Sequence, residues 1–111
     1  MDFKSEMRGA ILVIAVSGNL DALTAPALAD AIATQLREAK TRLVADLADL
    51  EYTSSAGLRA LLNGVKAARQ QGGDLRLAGA QPDVNKVLEL SGFTSIMKSF
   101  PDVETAVASF A

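Results

Sequence analysis

Thr53-Ser54-Ser55-Ala56-Gly57 is the part of this chain whose residue types could do chemistry. Two serine hydroxyls stand directly ahead of an apolar pattern that starts at Leu58 and reads as a helix. A serine at such a junction lies among unpaired backbone N–H groups, at the positive end of the helix dipole. Two roles follow. It can cap the helix, which stabilises by about 1 kcal/mol, or it can accept a phosphoryl group whose charge those N–H groups favour. The roles are compatible, and Thr53, Ser54 and Ser55 are all candidate acceptors. A cap alone does not require two hydroxyls with Ala56 and Gly57 behind them. Small residues there leave the backbone open to a partner's active site, although glycine in a first helical turn costs up to about 1 kcal/mol against alanine.

Missing residue types narrow the chemistry further. The chain has no histidine and no cysteine. A Ser–His–Asp hydrolase, a thiolate nucleophile, a disulfide framework and a Cys-based metal site are thereby excluded, and the commonest zinc ligand is absent. Neither Gly-x-x-x-x-Gly-Lys-Ser/Thr nor Gly-x-Ser-x-Gly occurs. The expectation is a phosphate acceptor and not an enzyme, with no cofactor and no metal. Net charge is −2, and the eleven Lys and Arg residues are scattered, so no nucleic-acid partner is expected. The apolar run Ala10 to Val16 is too short to cross a membrane. Met1-Asp2-Phe3-Lys4-Ser5-Glu6 lacks the apolar core of a signal peptide. These features suggest a cytoplasmic protein that does not engage a membrane.

The elements that must position the serines follow from periodicity. At 111 residues, half of them apolar, the chain fits one domain, residues 1–111, with one core. Phe3 to Met7 reads as an edge strand, Arg8-Gly9 as a turn and Ile11 to Val16 as a strand covered on both faces. Ser17-Gly18-Asn19-Leu20-Asp21 reads as a loop. Thr24 is placed to cap a helix with Pro26 in its first turn, and Leu28, Ile32 and Leu36 stripe that helix to about Ala39. Arg42 to Leu47 is the next buried strand. After the two serines, Leu58, Leu61, Leu62 and Val65 mark the buried face of a helix, with Arg59, Asn63, Lys66 and Gln70 opposite, ended by Gly72-Gly73. Asp74 to Ala78 is a strand with Leu75 and Leu77 on one side. Pro82 and Asp83 open a helix that Ser91-Gly92 closes. Ser95 to Phe100 is a last strand, and Pro101-Asp102 open a terminal helix whose Val103, Ala106, Val107 and Phe110 face inward. The strand–helix alternation argues for an α/β domain with a mixed, mostly parallel sheet of about five strands and four helices. The Ser17–Asp21 loop and the Ser55 segment then follow neighbouring strands at their C-terminal ends, where such sheets place their sites.

Asp46 to Leu58, with Tyr52, Ser54-Ser55 and Ala56-Gly57-Leu58 at its core, resembles the signature of STAS domains, in particular bacterial anti-sigma factor antagonists. Gly18, Leu20, Asp21 and Thr24 match that family's Gly-Glu-Leu-Asp-x-x-Thr segment, and Leu90-Ser91-Gly92-Phe93 its Leu-x-Gly-Phe/Leu segment, with Phe93 expected in the core. The resemblance implies that Ser55, by its register against Gly57-Leu58, is phosphorylated by an anti-sigma factor that is also a serine kinase. That kinase brings ATP and Mg²⁺, and a PP2C-type phosphatase reverses the reaction. It implies partner contacts through Asn19, Asp21, Thr24, Ser54, Ala56, Gly57, Arg59 and Asn63, with a monomer in the free state. Asn19 stands where the family usually has Glu, which removes an ion pair there and suggests an altered partner preference. Ser54 stands where some antagonists carry Asp. The alternative is a STAS scaffold subunit of a transport or sensory complex, in which Ser55 is only a cap.

Overall fold

Backbone hydrogen bonding defines seven strands and four α-helices in a computed structural model that describes residues 3–110. The outermost residues of the expected domain, 1–2 and 111, lie outside the described residues. The edge strand and the strand after it form a hairpin, with the turn one residue later than expected: β1 (Phe3–Arg8) includes Arg8, opposite Ile11, and turns through Gly9-Ala10 into β2 (Ile11–Val16). Apolar side chains on both sides of β2 make it an inner strand. It pairs in parallel with β4 (Arg42–Asp46), which pairs in parallel with β6 (Asp74–Ala78). β7 (Ser99–Phe100) closes the far edge, giving the order β1-β2-β4-β6-β7 with only the first pair antiparallel.

Three helices cover one face of this sheet. Leu28, Ile32 and Leu36 of α1 (Ala25–Arg37) meet Leu58, Leu61 and Val65 of α2 (Ser55–Gln70) over the strand residues Leu12, Ile14, Leu43, Leu75 and Leu77. Val84 and Leu88 of α3 (Pro82–Leu90) extend the same core. Among the described residues the other face carries only α4 (Val103–Ala108), whose Ala106 packs on Val13, Val44 and Ala78. Of its expected inward residues, Ala106 is buried, while Val103, Val107 and Phe110 are half-buried around it. Leu62 of α2 is likewise only half-buried.

Four expectations change. Ser17–Asp21 is not wholly a loop, because Gly18–Leu20 form β3, which pairs in parallel with β5 (Leu50–Thr53) as a separate two-stranded sheet. Both segments are short and polar and lack an alternating stripe, so the pairing between them makes them strands. The expected Ser95–Phe100 strand shrinks to β7, because a 3-10 turn occupies Phe93–Ser95 and the Ile96 and Met97 N–H groups still donate to the Phe93 carbonyl at 2.9 and 2.8 Å. The core side chain of this segment is Met97, 1% exposed; Phe93 is half-buried at the rim. α1 stops at Arg37, with Ala39 at φ 64°.

Candidate functional site

β3 and β5 continue the chain beyond β2 and β4 and bring the two candidate segments side by side. Asn19 lies opposite Tyr52 and Leu20 opposite Thr53. The Ser54 N–H donates to the Leu20 carbonyl at 2.8 Å, which fixes the entry to α2 against β3. Gly18, at φ 78°, supplies the left-handed backbone where the β3 register shifts, a conformation costly for other residues.

The two serines differ in their placement. Ser54 is the N-cap, and its hydroxyl accepts from the Gly57 N–H at 3.4 Å, a long and therefore weak bond. Ser55 is the first residue of α2 and is exposed, while Thr53 is only 3% exposed. In the folded state Ser55 is open to solvent, Ser54 is engaged by its cap bond, and Thr53 is enclosed. Early N–H groups of α2 have no intrahelical partner, so an anion on Ser55 would be met by donors and by the positive dipole end. Arg59 and Asn63 follow at four-residue steps and are exposed on the same side of the helix.

Gly57 corrects the sequence reading. It is buried, so it does not open the backbone to a partner. A Cβ there would lie 2.6 Å from Thr53 Oγ1 and 2.7 Å from Leu20 Cγ. The glycine exists to let α2 sit down on β3 and β5, and Ala56, half-buried beside it, keeps the outward place.

Thr24 also differs from its expected role. It precedes α1, with Pro26 in the first turn, but its hydroxyl makes no capping bond to the helix. The hydroxyl donates to the Asn19 carbonyl at 2.9 Å and accepts from the Asp21 N–H at 2.9 Å. Asp21 does the local capping. Its Oδ1 accepts from the N–H groups of Leu23 and Thr24 at 2.9 and 3.1 Å, and its carbonyl accepts from the Ala25 N–H at 2.8 Å. Asn19 itself is exposed.

Between this turn and α2 runs a shallow apolar groove of about 260 Å³, with Ala22, Pro26, Ala56, Arg59 and Asn63 along it. A larger cavity of about 440 Å³ between α3, the 3-10 turn and β7 shares none of these residues. Among the described residues no cluster of three or more His, Cys, Asp or Glu could hold a metal ion, and no helix is long and apolar enough to cross a membrane.

Residues 2–106 match the STAS domain family. The chain is a member of the STAS domain family. BtrV of Bordetella bronchiseptica, by name an anti-sigma factor antagonist, is 38% identical over 100 residues, covering 90% of this chain and 86% of BtrV. The structure of an anti-sigma factor antagonist from Mycobacterium paratuberculosis superposes with a TM-score of 0.88 at 26% identity, over 97% of this chain and 92% of the other. The fold is also that of the antagonist SpoIIAA. Its unphosphorylated form gives a TM-score of 0.83 at 24% identity, over 98% of this chain and 96% of that one. The phosphorylated form, from Bacillus, gives 0.75 at 22%, over 99% and 100%.

In this STAS domain the candidate residues fall into two groups. Ser55, Ala56, Arg59 and Asn63 share one flank of α2, and Asn19, Asp21 and Thr24 form the turn across the groove. Sequence reasoning did not single out the exposure of Leu23, 89% exposed in that turn, or of Tyr52, 53% exposed on β5 and read only as part of the signature. Leu23 had a signal: it lies off the Leu28–Ile32–Leu36 stripe.

Proposed function

We propose that this protein is an anti-sigma factor antagonist that works by partner switching. Unphosphorylated, it binds an anti-sigma factor that is also a serine kinase, and so frees the sigma factor. Phosphorylation of Ser55 weakens that complex, and a PP2C-type phosphatase restores it. The observation that carries the reading is Ser55 itself: an exposed hydroxyl on the first residue of α2, beside a cap that is already Ser54. If Ser55 were only the cap, the neighbouring serine would be redundant. Support also comes from relatives named as anti-sigma factor antagonists, and from SpoIIAA, known in both phosphorylation states on this fold.

The switch follows from electrostatics. A phosphate adds about −1.5 to −2 of charge. At the N-terminus of α2 the fold tolerates it. Facing a closely packed partner it brings desolvation and repulsion, so the complex weakens with no need for refolding. In this reading the free protein is a cytoplasmic monomer and not an enzyme, and the ATP and Mg²⁺ belong to the kinase. Phosphosite mapping by mass spectrometry on protein from its native cells tests it. Phosphate on Ser55 that disappears in Ser55→Ala is the expected result. Absence of phosphate across growth conditions would contradict it and favour the scaffold role.

A further inference from the structure

Arg59 stands in the second turn of α2, four residues after Ser55, and both are exposed on the same side of the helix. Residues at that spacing are neighbours, with Cβ atoms about 5–6 Å apart. Direction matters as much as spacing. A long helical side chain runs back towards the helix N-terminus and covers the turn before its own. The Ser55 side chain therefore lies within the sweep of the Arg59 guanidinium.

This cation has no counter-charge. Among the described residues Arg8 pairs with Glu6, and Arg69 and Arg76 share Asp74, whereas Arg59 joins no ion pair. The groove along its flank is lined by alanines, Pro26 and Asn63 and offers no acid. The first turn of α2 holds no acid either. Asp21, in the turn across the groove, is occupied within that turn, where its Oδ1 accepts from the N–H groups of Leu23 and Thr24 at 2.9 and 3.1 Å. A cation reaching over a helix N-terminus opposes the dipole. Left alone, Arg59 is unfavourably placed. With a dianion on Ser55 it becomes half of a charge-assisted pair, and a guanidinium can grip two phosphate oxygens at once.

We propose that Arg59 captures the phosphate of phosphorylated Ser55 within this chain. The phosphorylated state then differs from the unphosphorylated one in two ways. The surface gains a dianion, and it loses the free cation that unphosphorylated α2 presents to a partner. The helix moves for neither. This rests on the partner-switching reading, in which Ser55 is the acceptor.

The test uses the full chain with phosphoserine installed at position 55 during synthesis, so it needs no kinase. Phosphorus NMR follows the second ionisation of the phosphate, at about pH 6 in a free phosphoserine. A neighbouring cation favours the dianion and lowers that midpoint. In Arg59→Gln the midpoint rises by about half a pH unit. Arg59→Lys, which keeps the charge, recovers part of the difference, and about 1 M salt shrinks it. As the dianion forms in the wild-type phosphoprotein, the Arg59 Nε–H resonance shifts and exchanges more slowly with water. Those of Arg69 and Arg76, already bonded to Asp74, stay where they are. Circular dichroism of the unphosphorylated variants matches wild type, because Arg59 is exposed. Equal midpoints in wild type and Arg59→Gln, or an Arg59 resonance indifferent to the phosphate, overturn the capture and leave the switch intact. Phosphate that never appears on Ser55 in native cells overturns the switch, and with it the capture as a device of regulation.

Discussion

Ser54 and Ser55 are chemically identical neighbours, yet one is turned into its own helix and the other into solvent. That difference was half legible in the sequence. The register against Gly57-Leu58 pointed to Ser55, but the local pattern could not say which hydroxyl capped. Gly57 was misread because the reason for a glycine lies in what opposes it, and Leu20 and Thr53 belong to strands that the sequence did not reveal. Two outcomes are expected at this scale. Gly57→Ala forces a methyl against Thr53 Oγ1 and Leu20, with a loss of about 1–3 kcal/mol in urea unfolding. Ser54→Ala removes a cap bond of 3.4 Å, too long to be strong, so its loss falls near the low end of the capping range, about 0.5 kcal/mol. A Gly57→Ala protein of wild-type stability would mean that α2 does not sit as closely on β3 and β5 as described.

The strands and helices of the main sheet were legible because each carries its own period. The run Ile11–Val16, the stripe Leu28–Ile32–Leu36 and the pattern from Leu58 to Val65 all specify burial locally. β3 and β5 were not legible, since at three and four residues neither holds a periodic signal and each is defined by its pairing partner, and β7 was read four residues too long because at two residues it too is bounded only by its pairing. The terminal helix was legible through Asp102, which caps α4 by accepting from the Thr105 N–H at 2.7 Å. Hydrogen bonds from the Thr105 side chain and then its backbone hold the Asp102 carboxyl below its ordinary 3.8. A carboxyl lowered in the folded state stabilises above its unfolded value, and that contribution is lost as pH falls through the folded value. Asp102→Ala should therefore melt below wild type near neutral pH, and the gap should close in acid. A gap that widened on acidification would contradict the assigned cap.

Across the whole molecule, α2 is anchored at the end away from Ser55. Arg69, in its last turn, donates to Asp74 Oδ1 at 3.0 Å and to the Ile96 carbonyl at 2.8 Å. Arg76 bonds the other oxygen of Asp74 at 3.0 Å, reaches Ser109 Oγ at 2.7 Å and stacks 4.0 Å from the Phe110 ring centroid. One nearly buried carboxylate thus joins α2, β6, the segment before β7 and the C-terminal turn. Sequence reading placed Asp74 at a strand start but could not find the outer contacts of its two arginine partners, because Ile96 and Ser109 are distant in sequence. Asp74→Ala leaves the Arg76 guanidinium largely buried without its counter-charge, and a loss of about 3 kcal/mol in denaturant unfolding is expected. A loss below about 1 kcal/mol would mean that water replaces the carboxylate readily. With its far end fixed in this way, α2 has little freedom to move when its near end gains a charge. The fold therefore favours a switch that acts on the partner's surface.

The most direct measurement is a calorimetric titration of the partner kinase with two preparations of this protein, one unphosphorylated and one phosphorylated at Ser55, alongside far-ultraviolet circular dichroism of both. The expected result is a complex weakened by about a hundredfold or more upon phosphorylation, with superimposable spectra. Equal affinities, or a phosphorylated form that has lost helical signal, would contradict a switch made of surface charge.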